Sequence, residues 1–165
     1  MRSTAFTLVR AITYSALFIG FLLIFLPARV LEWSGLVRPA QVGAVQIAGM
    51  LVGGFGAVVA VWCILTFSTI GRGTPAPFDP PRRLVVAGPY RFVRNPMYIG
   101  AALALAGAAL SYQSWALAGY AGLFLLVMHL FVVLYEESAL KETFGPEYAR
   151  YCATVKRWWP AAGRS

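Results

Sequence analysis

The sequence predicts an all-α, polytopic helical membrane protein with about four transmembrane helices. Hydrophobic residues make up 59% of its 165 residues, against about 45–50% in ordinary soluble domains. Charged residues make up 12%, roughly half of the usual share of about 25%. Such a chain lacks the polar side chains that a soluble protein needs on its surface, so we expect a single membrane domain over residues 1–165.

Two apolar runs in residues 1–70 are long enough to cross a bilayer, which takes about 20 helical residues. The first covers about Leu8 to Leu26, and the second, about Val45 to Ile70, carries no charge. Gly49 and Gly53 have the four-residue spacing that lets membrane helices approach closely. We therefore expect two N-terminal spans.

Two further runs, Tyr98 to about Tyr112 and Trp115 to about Tyr135, predict a third and a fourth span. The third is short and rich in Ala and Gly, so we expect it to pack against protein rather than lipid. The link of residues 111–114 is too short for anything except a tight helical hairpin.

The basic residues predict the orientation of these spans. Twelve of the 14 Lys and Arg residues lie ahead of span one or at its start, in the loop after span two, or in the C-terminal tail. Four spans place these segments on one side, which the positive-inside rule makes cytoplasmic, with both chain ends there and the protein in the cell membrane. The net charge of +8 then fits contact with membrane lipids, and its distribution between apolar runs argues against a nucleic-acid partner.

Two polar segments share the predicted cytoplasmic face. The loop of residues 71–97 contains six prolines, which prevent a long helix there. The tail from Glu136 predicts a helix on the membrane surface or folded over the loop. Apolar and aromatic residues recur in this tail at intervals of three or four: Leu140, Phe144, Tyr148 and Tyr151.

The loop carries the features of an anion site. Gly88-Pro89 predicts a turn, and Pro96 fits the first turn of the third span with Asn95 as its N-cap. The positive end of that helix, beside Arg91 and Arg94, suits a carboxylate. The alternative is that these arginines only anchor the loop to lipid headgroups.

Ionisable groups also cluster near the end of the fourth span. Glu136 and Glu137 are adjacent there, and an inward carboxylate could accept hydrogen bonds from ribose hydroxyls or offset a bound cation. The alternative is a solvated pair, or ion pairs with the loop arginines. His129 lies seven residues earlier, on the same predicted face, and is a candidate substrate contact or a packing residue. No metal-ligating cluster or activated nucleophile is evident.

Two motifs resemble integral-membrane methyltransferases, including isoprenylcysteine carboxyl methyltransferases and phospholipid N-methyltransferases. The first is G-P-Y-R-x-x-R-N-P-M-Y-x-G from Gly88 to Gly100. The second is E-E-x-x-L-x-x-x-F-G-x-E-Y-x-x-Y from Glu136 to Tyr151. The resemblance covers roughly the C-terminal half; the first two spans match only in being apolar.

The resemblance implies that the loop and the C-terminal helix cover a pocket for S-adenosylmethionine, which makes residues 71–165 the cofactor-binding, catalytic half. It predicts an enzyme that methylates a lipophilic small molecule or lipid. We assign Arg94 and Glu137 to catalysis and His129 to the substrate. The residues implied in cofactor binding are Arg82, Arg83, Leu84, Val85, Tyr90, Asn95, Pro96, Met97, Tyr98 and Glu136.

Two departures from the family pattern bear on the substrate and mechanism. Asn95 stands where a histidine is usual, so a proton-transfer role at this position is in doubt. Val132 replaces the arginine that serves the substrate in prenylcysteine enzymes, which puts a prenylated-cysteine carboxylate in doubt. The rival functions are an NADPH-dependent membrane reductase of the sterol-reductase kind and a non-catalytic membrane scaffold.

Overall fold

The computed structural model of the protein describes residues 13, 17, 20–35, 42–71 and 83–160, most of which are helical. Helix α1 is Leu26–Trp33, preceded by a π-helical segment, Gly20–Phe25. Most of the first predicted span lies outside the described residues. Its described end runs on as a helix to Trp33, past the end of the apolar run at Leu26.

Helix α2, Ala44–Thr66, continues through a π-helical turn, Phe67–Gly71. This matches the predicted second span and ends within one residue of it. Helix α3, Pro96–Tyr112, begins after an irregular loop with one 3₁₀ turn, Gly88–Arg91. Helix α4 is Trp115–Phe131 and helix α5 is Glu137–Thr154, joined without a break by a π-helical turn, Val132–Glu136.

Helices α2 and α3 pack so closely that glycine is needed at their contacts. A Cβ on Gly56 would lie 2.5 Å from the carbonyl oxygen of Gly100, and one on Gly49 would lie 2.7 Å from that of Gly107. The small-residue spacing in the second span therefore does serve helix contact. The predicted packing of the third span against protein is also confirmed, since eight of its residues are buried.

The link between α3 and α4 is the tight hairpin that its length predicts. Gln113 ends α3 in the left-handed conformation, with φ of 50°. Ser114 then caps α4, its hydroxyl accepting a 3.2 Å hydrogen bond from the Leu117 amide. Behind this hairpin, α3 and α4 share a core of Ala101, Ala102, Leu105, Ala121 and Phe124.

The helix that starts at Trp115 is longer than a bilayer needs. Trp115–Thr154 covers 40 residues, or about 60 Å at 1.5 Å per residue, twice the hydrocarbon thickness of about 30 Å. Its apolar part, residues 115–135, can lie in lipid, and Glu136 is the first residue beyond it. The helix bends at Gly145, which has φ of 48°, and its second half buries Tyr148 and Tyr151 with Val155. We call these three residues the tail cluster.

Within the described residues, two helices have the length and apolarity of a membrane span, Ala44–Gly71 and Trp115–Thr154. Helix α3 is apolar but has 17 residues, which is short for a span. Described residues of the first predicted span contact the bundle, since the Tyr120 hydroxyl donates a 2.8 Å hydrogen bond to the Leu22 carbonyl. The all-α class is confirmed for the described chain, and the number of four spans stays a prediction.

Candidate active site

The loop from Arg83 to Asn95 is held between the end of α2 and helix α5. On one side, Val85 and Tyr90 are buried against Cys63 of α2. On the other side, Leu84 packs against the tail cluster. Arg83 is exposed, and Arg82 lies outside the described residues. Of these predicted cofactor-binding residues, Leu84 and Val85 thus hold the loop in place through apolar contacts.

The predicted Gly88-Pro89 turn is present and closes onto α2. Gly88 has φ of 58°, and a Cβ there would lie 2.9 Å from the Thr66 hydroxyl oxygen. Glycine is required on both counts. The turn places Pro89 and Tyr90 inside the protein.

Tyr90 is anchored by both its ring and its backbone. The ring packs on Phe67, with centroids 6.1 Å apart, and the carbonyl accepts a 2.6 Å hydrogen bond from the Tyr151 hydroxyl. Burial raises the pKa of Tyr90 well above its ordinary value, so the phenol stays neutral. Tyr90 therefore joins the loop to both α2 and α5.

The start of α3 is where the sequence predicts, but Asn95 does not cap it through its side chain. Asn95 occupies the N-cap position and Pro96 follows in the first turn. The Asn95 amide nitrogen donates instead to the backbone carbonyl of Arg157, 3.3 Å away. The prediction of a side-chain cap is wrong: the Asn95 side-chain oxygen accepts no hydrogen bond from the first turn of α3, and its NH2 group is held by the C-terminal tail. Met97 turns toward the cluster around Cys63.

The two adjacent carboxylates have different partners. Glu136 accepts a 3.1 Å hydrogen bond from the Tyr98 hydroxyl of α3. Glu137, only 9% exposed, accepts two hydrogen bonds from the Arg157 guanidinium, 2.7 Å from Nε and 2.9 Å from Nη2. Arg94 Nη2 lies 3.3 Å from the same carboxylate. The bonds from Arg157 lower the pKa of Glu137, which is therefore ionised at neutral pH.

Arg94 contacts several residues of α5 and the C-terminal tail. Its Nη1 donates to the Tyr148 hydroxyl at 3.4 Å and contacts the Cys152 sulfur, and its backbone amide donates to the Lys156 carbonyl at 2.9 Å. In the described part of the chain, the buried Nε of Arg94 has no hydrogen-bond partner. The alternative of ion pairs between the loop arginines and the acidic pair is what the structure shows for Arg94, while Arg91 lies over the Phe92 ring.

His129 is partnered by the C-terminal tail. The Trp158 indole donates a 3.1 Å hydrogen bond to His129 Nδ1, and the two rings are 5.9 Å apart. With Nδ1 as acceptor, a neutral imidazole carries its proton on Nε2. The π-helical turn at residues 132–136 alters the register between His129 and Glu136. The two side chains accordingly contact different elements, Trp158 and Tyr98.

Sequence reasoning missed the contributions of Arg157 and Trp158 to this cluster. Arg157 was counted only among the basic residues that set orientation. A signal for its role was available, because a carboxylate buried at the end of an apolar span needs charged partners. Nothing in the sequence specifies which of the several arginines supplies them.

A cavity of about 490 Å³ lies at the other end of the bundle. It is lined by residues from the starts of α2 and α4 and the end of α3, among them Val45, Leu110 and Trp115. None of the predicted site residues lines it. The ionisable cluster and this apolar cavity are thus at opposite ends of the α3–α4 hairpin.

Comparison with known proteins identifies a family for this chain. No curated protein and no solved structure matches it. The family model described as phospholipid methyltransferase matches residues 44–147. The match runs from the first residue of α2 into α5, so it includes Arg94, Tyr98, Glu136 and Glu137 and stops before Tyr148 and Arg157. It covers well over half of the sequence, and the chain therefore belongs to the phospholipid methyltransferase family, whose members are methyltransferases acting on lipid-type substrates.

Proposed function

We propose that this protein transfers a methyl group from S-adenosylmethionine to a lipophilic acceptor at the cytoplasmic membrane surface. The observation that carries the proposal is the meeting of Arg94, Tyr98, Glu136 and Glu137 at the end of an apolar span. These side chains come from the loop, α3 and the α4–α5 junction. Burial of so many ionisable groups at one place is typical of functional sites, and the family supplies the reaction class.

The residues at this cluster fit the polar groups of S-adenosylmethionine. The unpartnered, buried Nε of Arg94 is a donor suited to the carboxylate of the cofactor. Glu136 receives one hydrogen bond, from Tyr98, and keeps acceptor capacity for ribose hydroxyls. The other residues that would hold the cofactor are those of the loop and the start of α3: Arg82, Arg83, Leu84, Val85, Tyr90, Asn95, Pro96 and Met97.

Bound S-adenosylmethionine supplies a methyl group that its sulfonium makes electrophilic. The protein then has to hold the acceptor in line with that group and exclude water. In this proposal the guanidinium of Arg94, whose buried Nε has no hydrogen-bond partner among the described residues, binds the carboxylate of the cofactor. Glu137 acts through Arg94, because its oxygens already accept from Arg157 and lie beside Arg94. Asn95 has no titratable proton and takes no part in proton transfer.

The acceptor enters from the bilayer in this proposal. Leu134 and Tyr135, directly before Glu136, are exposed at 73% and 53%, so lipid can approach within a turn of the acidic pair. His129, one to two turns earlier, would line this approach and offer its Nε2–H to a polar group of the acceptor. The arrangement assumes four spans with both chain ends cytoplasmic, as the positive-inside rule predicts.

The experiment is a calorimetric titration of detergent-purified protein with S-adenosylmethionine, S-adenosylhomocysteine and NADPH. We expect saturable binding of the two adenosyl ligands and none of NADPH. Glu136→Ala should weaken binding about tenfold, because it removes a hydrogen-bond acceptor from a partly buried site and leaves the ribose hydroxyls unpaired. The matched control is Glu142→Ala, which makes the same change at an exposed position of α5 and should bind normally.

Three results would contradict the proposal in different ways. Binding of NADPH alone would favour a membrane reductase. Folded protein that binds none of these ligands would favour a scaffold. Equal loss of affinity in Glu136→Ala and Glu142→Ala would remove Glu136 from the binding site.

A further inference from the structure

The segment of residues 155–158 crosses the candidate site after α5 ends. Each of its residues reaches a different part of the protein. Val155 belongs to the tail cluster, and the Lys156 carbonyl accepts from the Arg94 amide at 2.9 Å. The Arg157 carbonyl accepts from Asn95, and Trp158 donates to His129. We call residues 155–158 the strap. It lies wholly beyond the part of the chain that the family model matches.

The strap places one charged group at the centre of the cluster. The Arg157 guanidinium meets both oxygens of Glu137 with a parallel pair of hydrogen bonds at 2.7 and 2.9 Å. Such forked pairs are stronger and more directional than single contacts. Arg94, at 3.3 Å, is the weaker partner of the same carboxylate. Arg157 therefore dominates the orientation of Glu137.

This division of partners makes Arg94 the second and longer contact of Glu137, at 3.3 Å. If Arg157 were absent, Glu137 would be a buried carboxylate with Arg94 as its main counter-charge, and Arg94 would be drawn into pairing with it. With Arg157 in place, Arg94 keeps its contacts to Tyr148 and Cys152 and an unpartnered Nε. The positive charge of Arg94 is then only partly neutralised by Glu137.

We infer that Arg157 is a positioning residue that neutralises Glu137 and so keeps Arg94 available to the cofactor. The inference rests on the proposed function, since it concerns the same cofactor site. Arg157 itself acts through Glu137 and is assigned no contact with cofactor or acceptor. The strap thus completes a site whose other residues lie within the family match.

The inference has a pH signature. The groups that face Glu137 are Arg157 from the strap, Arg94 from the loop, and Glu136, Lys141, Tyr148 and Cys152 from the α4–α5 helix. Arg157 favours the ionised carboxylate, so the pKa of Glu137 lies below its ordinary value. Replacing Arg157 by a neutral residue raises that pKa. When the solution is acidified, Glu137 of such a variant is protonated at a higher pH than in the wild type. Ligand binding that needs the ionised carboxylate is then lost at that higher pH.

The test measures binding of S-adenosylhomocysteine to the full-length protein in detergent from about pH 3 to pH 8, a range that extends below the ordinary glutamate pKa of about 4.3. We expect Arg157→Gln to weaken binding about tenfold at neutral pH and to move the acid loss of binding upward by about one pH unit, since one unit corresponds to a tenfold change. Arg157→Lys keeps the charge but not the fork. Arg157→Lys should lose binding at the same acidic pH as the wild type, while its affinity at neutral pH stays below that of the wild type.

Controls separate this effect from a general loss of structure. Arg150→Gln removes the same charge from an exposed position of α5 and should match wild type in affinity and pH profile. If Arg157→Gln does not fold, Arg157→Lys decides the matter, because wild-type affinity in it would overturn the role of the fork. Wild-type affinity and pH profile in Arg157→Gln would overturn the inference and leave the proposed function intact. Failure of the wild-type protein to bind the ligand would instead remove the proposed function and the inference with it.

Discussion

At the scale of single residues, the chemistry of this protein depends on how charges are paired at the end of an apolar span. Glu136 and Glu137 are neighbours in sequence, yet one is bonded to a neutral hydroxyl and the other to two guanidinium groups. The first therefore keeps acceptor capacity and the second is saturated. Two identical side chains acquire different roles because α3 reaches one and the strap reaches the other.

The Tyr98–Glu136 hydrogen bond gives a prediction at this scale. Tyr98→Phe removes the hydroxyl that orients Glu136 and leaves the ring packing in place. We expect affinity for S-adenosylmethionine to fall roughly three- to tenfold, the usual worth of about 1 kcal/mol for one hydrogen bond. Calorimetry on the purified variant measures this. Tyr112→Phe, the same change at the far end of α3, is the control; an equal loss in both variants would contradict the prediction.

At the scale of helices, the close contact of α2 and α3 positions the site. The loop containing Arg94 leaves the end of α2 and re-enters at the start of α3, so the distance between these helices sets the loop's span. Glycines on both helices make this contact, because in lipid the packing of small residues replaces the hydrophobic effect as the attraction between helices.

Gly56→Ala tests that contact. Its Cβ would lie 2.5 Å from the Gly100 carbonyl oxygen and 2.6 Å from the Ala104 amide nitrogen, so the two backbones must separate. We expect a loss of about 1–3 kcal/mol in the free energy of unfolding. Thermal unfolding in detergent measures this destabilisation, which we expect to appear as a lower Tm. Gly54→Ala is the matched control two residues away, where a Cβ meets nothing within 4 Å; a similar Tm for both variants would argue against the tight contact.

At the scale of the whole molecule, the proposed arrangement puts the ionisable cluster and the α3–α4 hairpin tip on opposite sides of the membrane. The cluster joins the loop, the α4–α5 junction and the strap, while the tip carries no charged residue between positions 111 and 114. This distribution follows the positive-inside rule, and under the proposed function it would place the cofactor site on the cytoplasmic side.

Cysteine labelling tests this orientation. The background is Cys152→Ser, since Cys63 is buried. Gln113→Cys at the exposed hairpin tip should react with a membrane-impermeant maleimide added outside intact cells, and Arg150→Cys on α5 should react only after permeabilisation. Labelling of both positions from the same side would overturn the four-span arrangement.

The sequence by itself determined the membrane class, the helices from Ala44 onward, the hairpin, the Gly88-Pro89 turn and the family. These depend on local or periodic properties: apolar runs, small-residue spacing, turn residues and two contiguous motifs. It also offered ion pairing between the loop arginines and the acidic pair as an alternative, which the 3.3 Å contact of Arg94 with Glu137 matches. The roles of these residues in binding and catalysis stay predictions.

Only the tertiary structure decided which partners these residues take. The Asn95 side chain donates to the Arg157 carbonyl and does not cap the helix it precedes, Glu137 pairs with Arg157 more closely than with Arg94, and His129 accepts from Trp158. These contacts join residues 20 to 62 positions apart. Hydrogen bonds and ion pairs depend on distances of a few tenths of an ångström. Those distances follow from the π-helical turn before Glu137 and the path of the strap, which no residue pattern encodes.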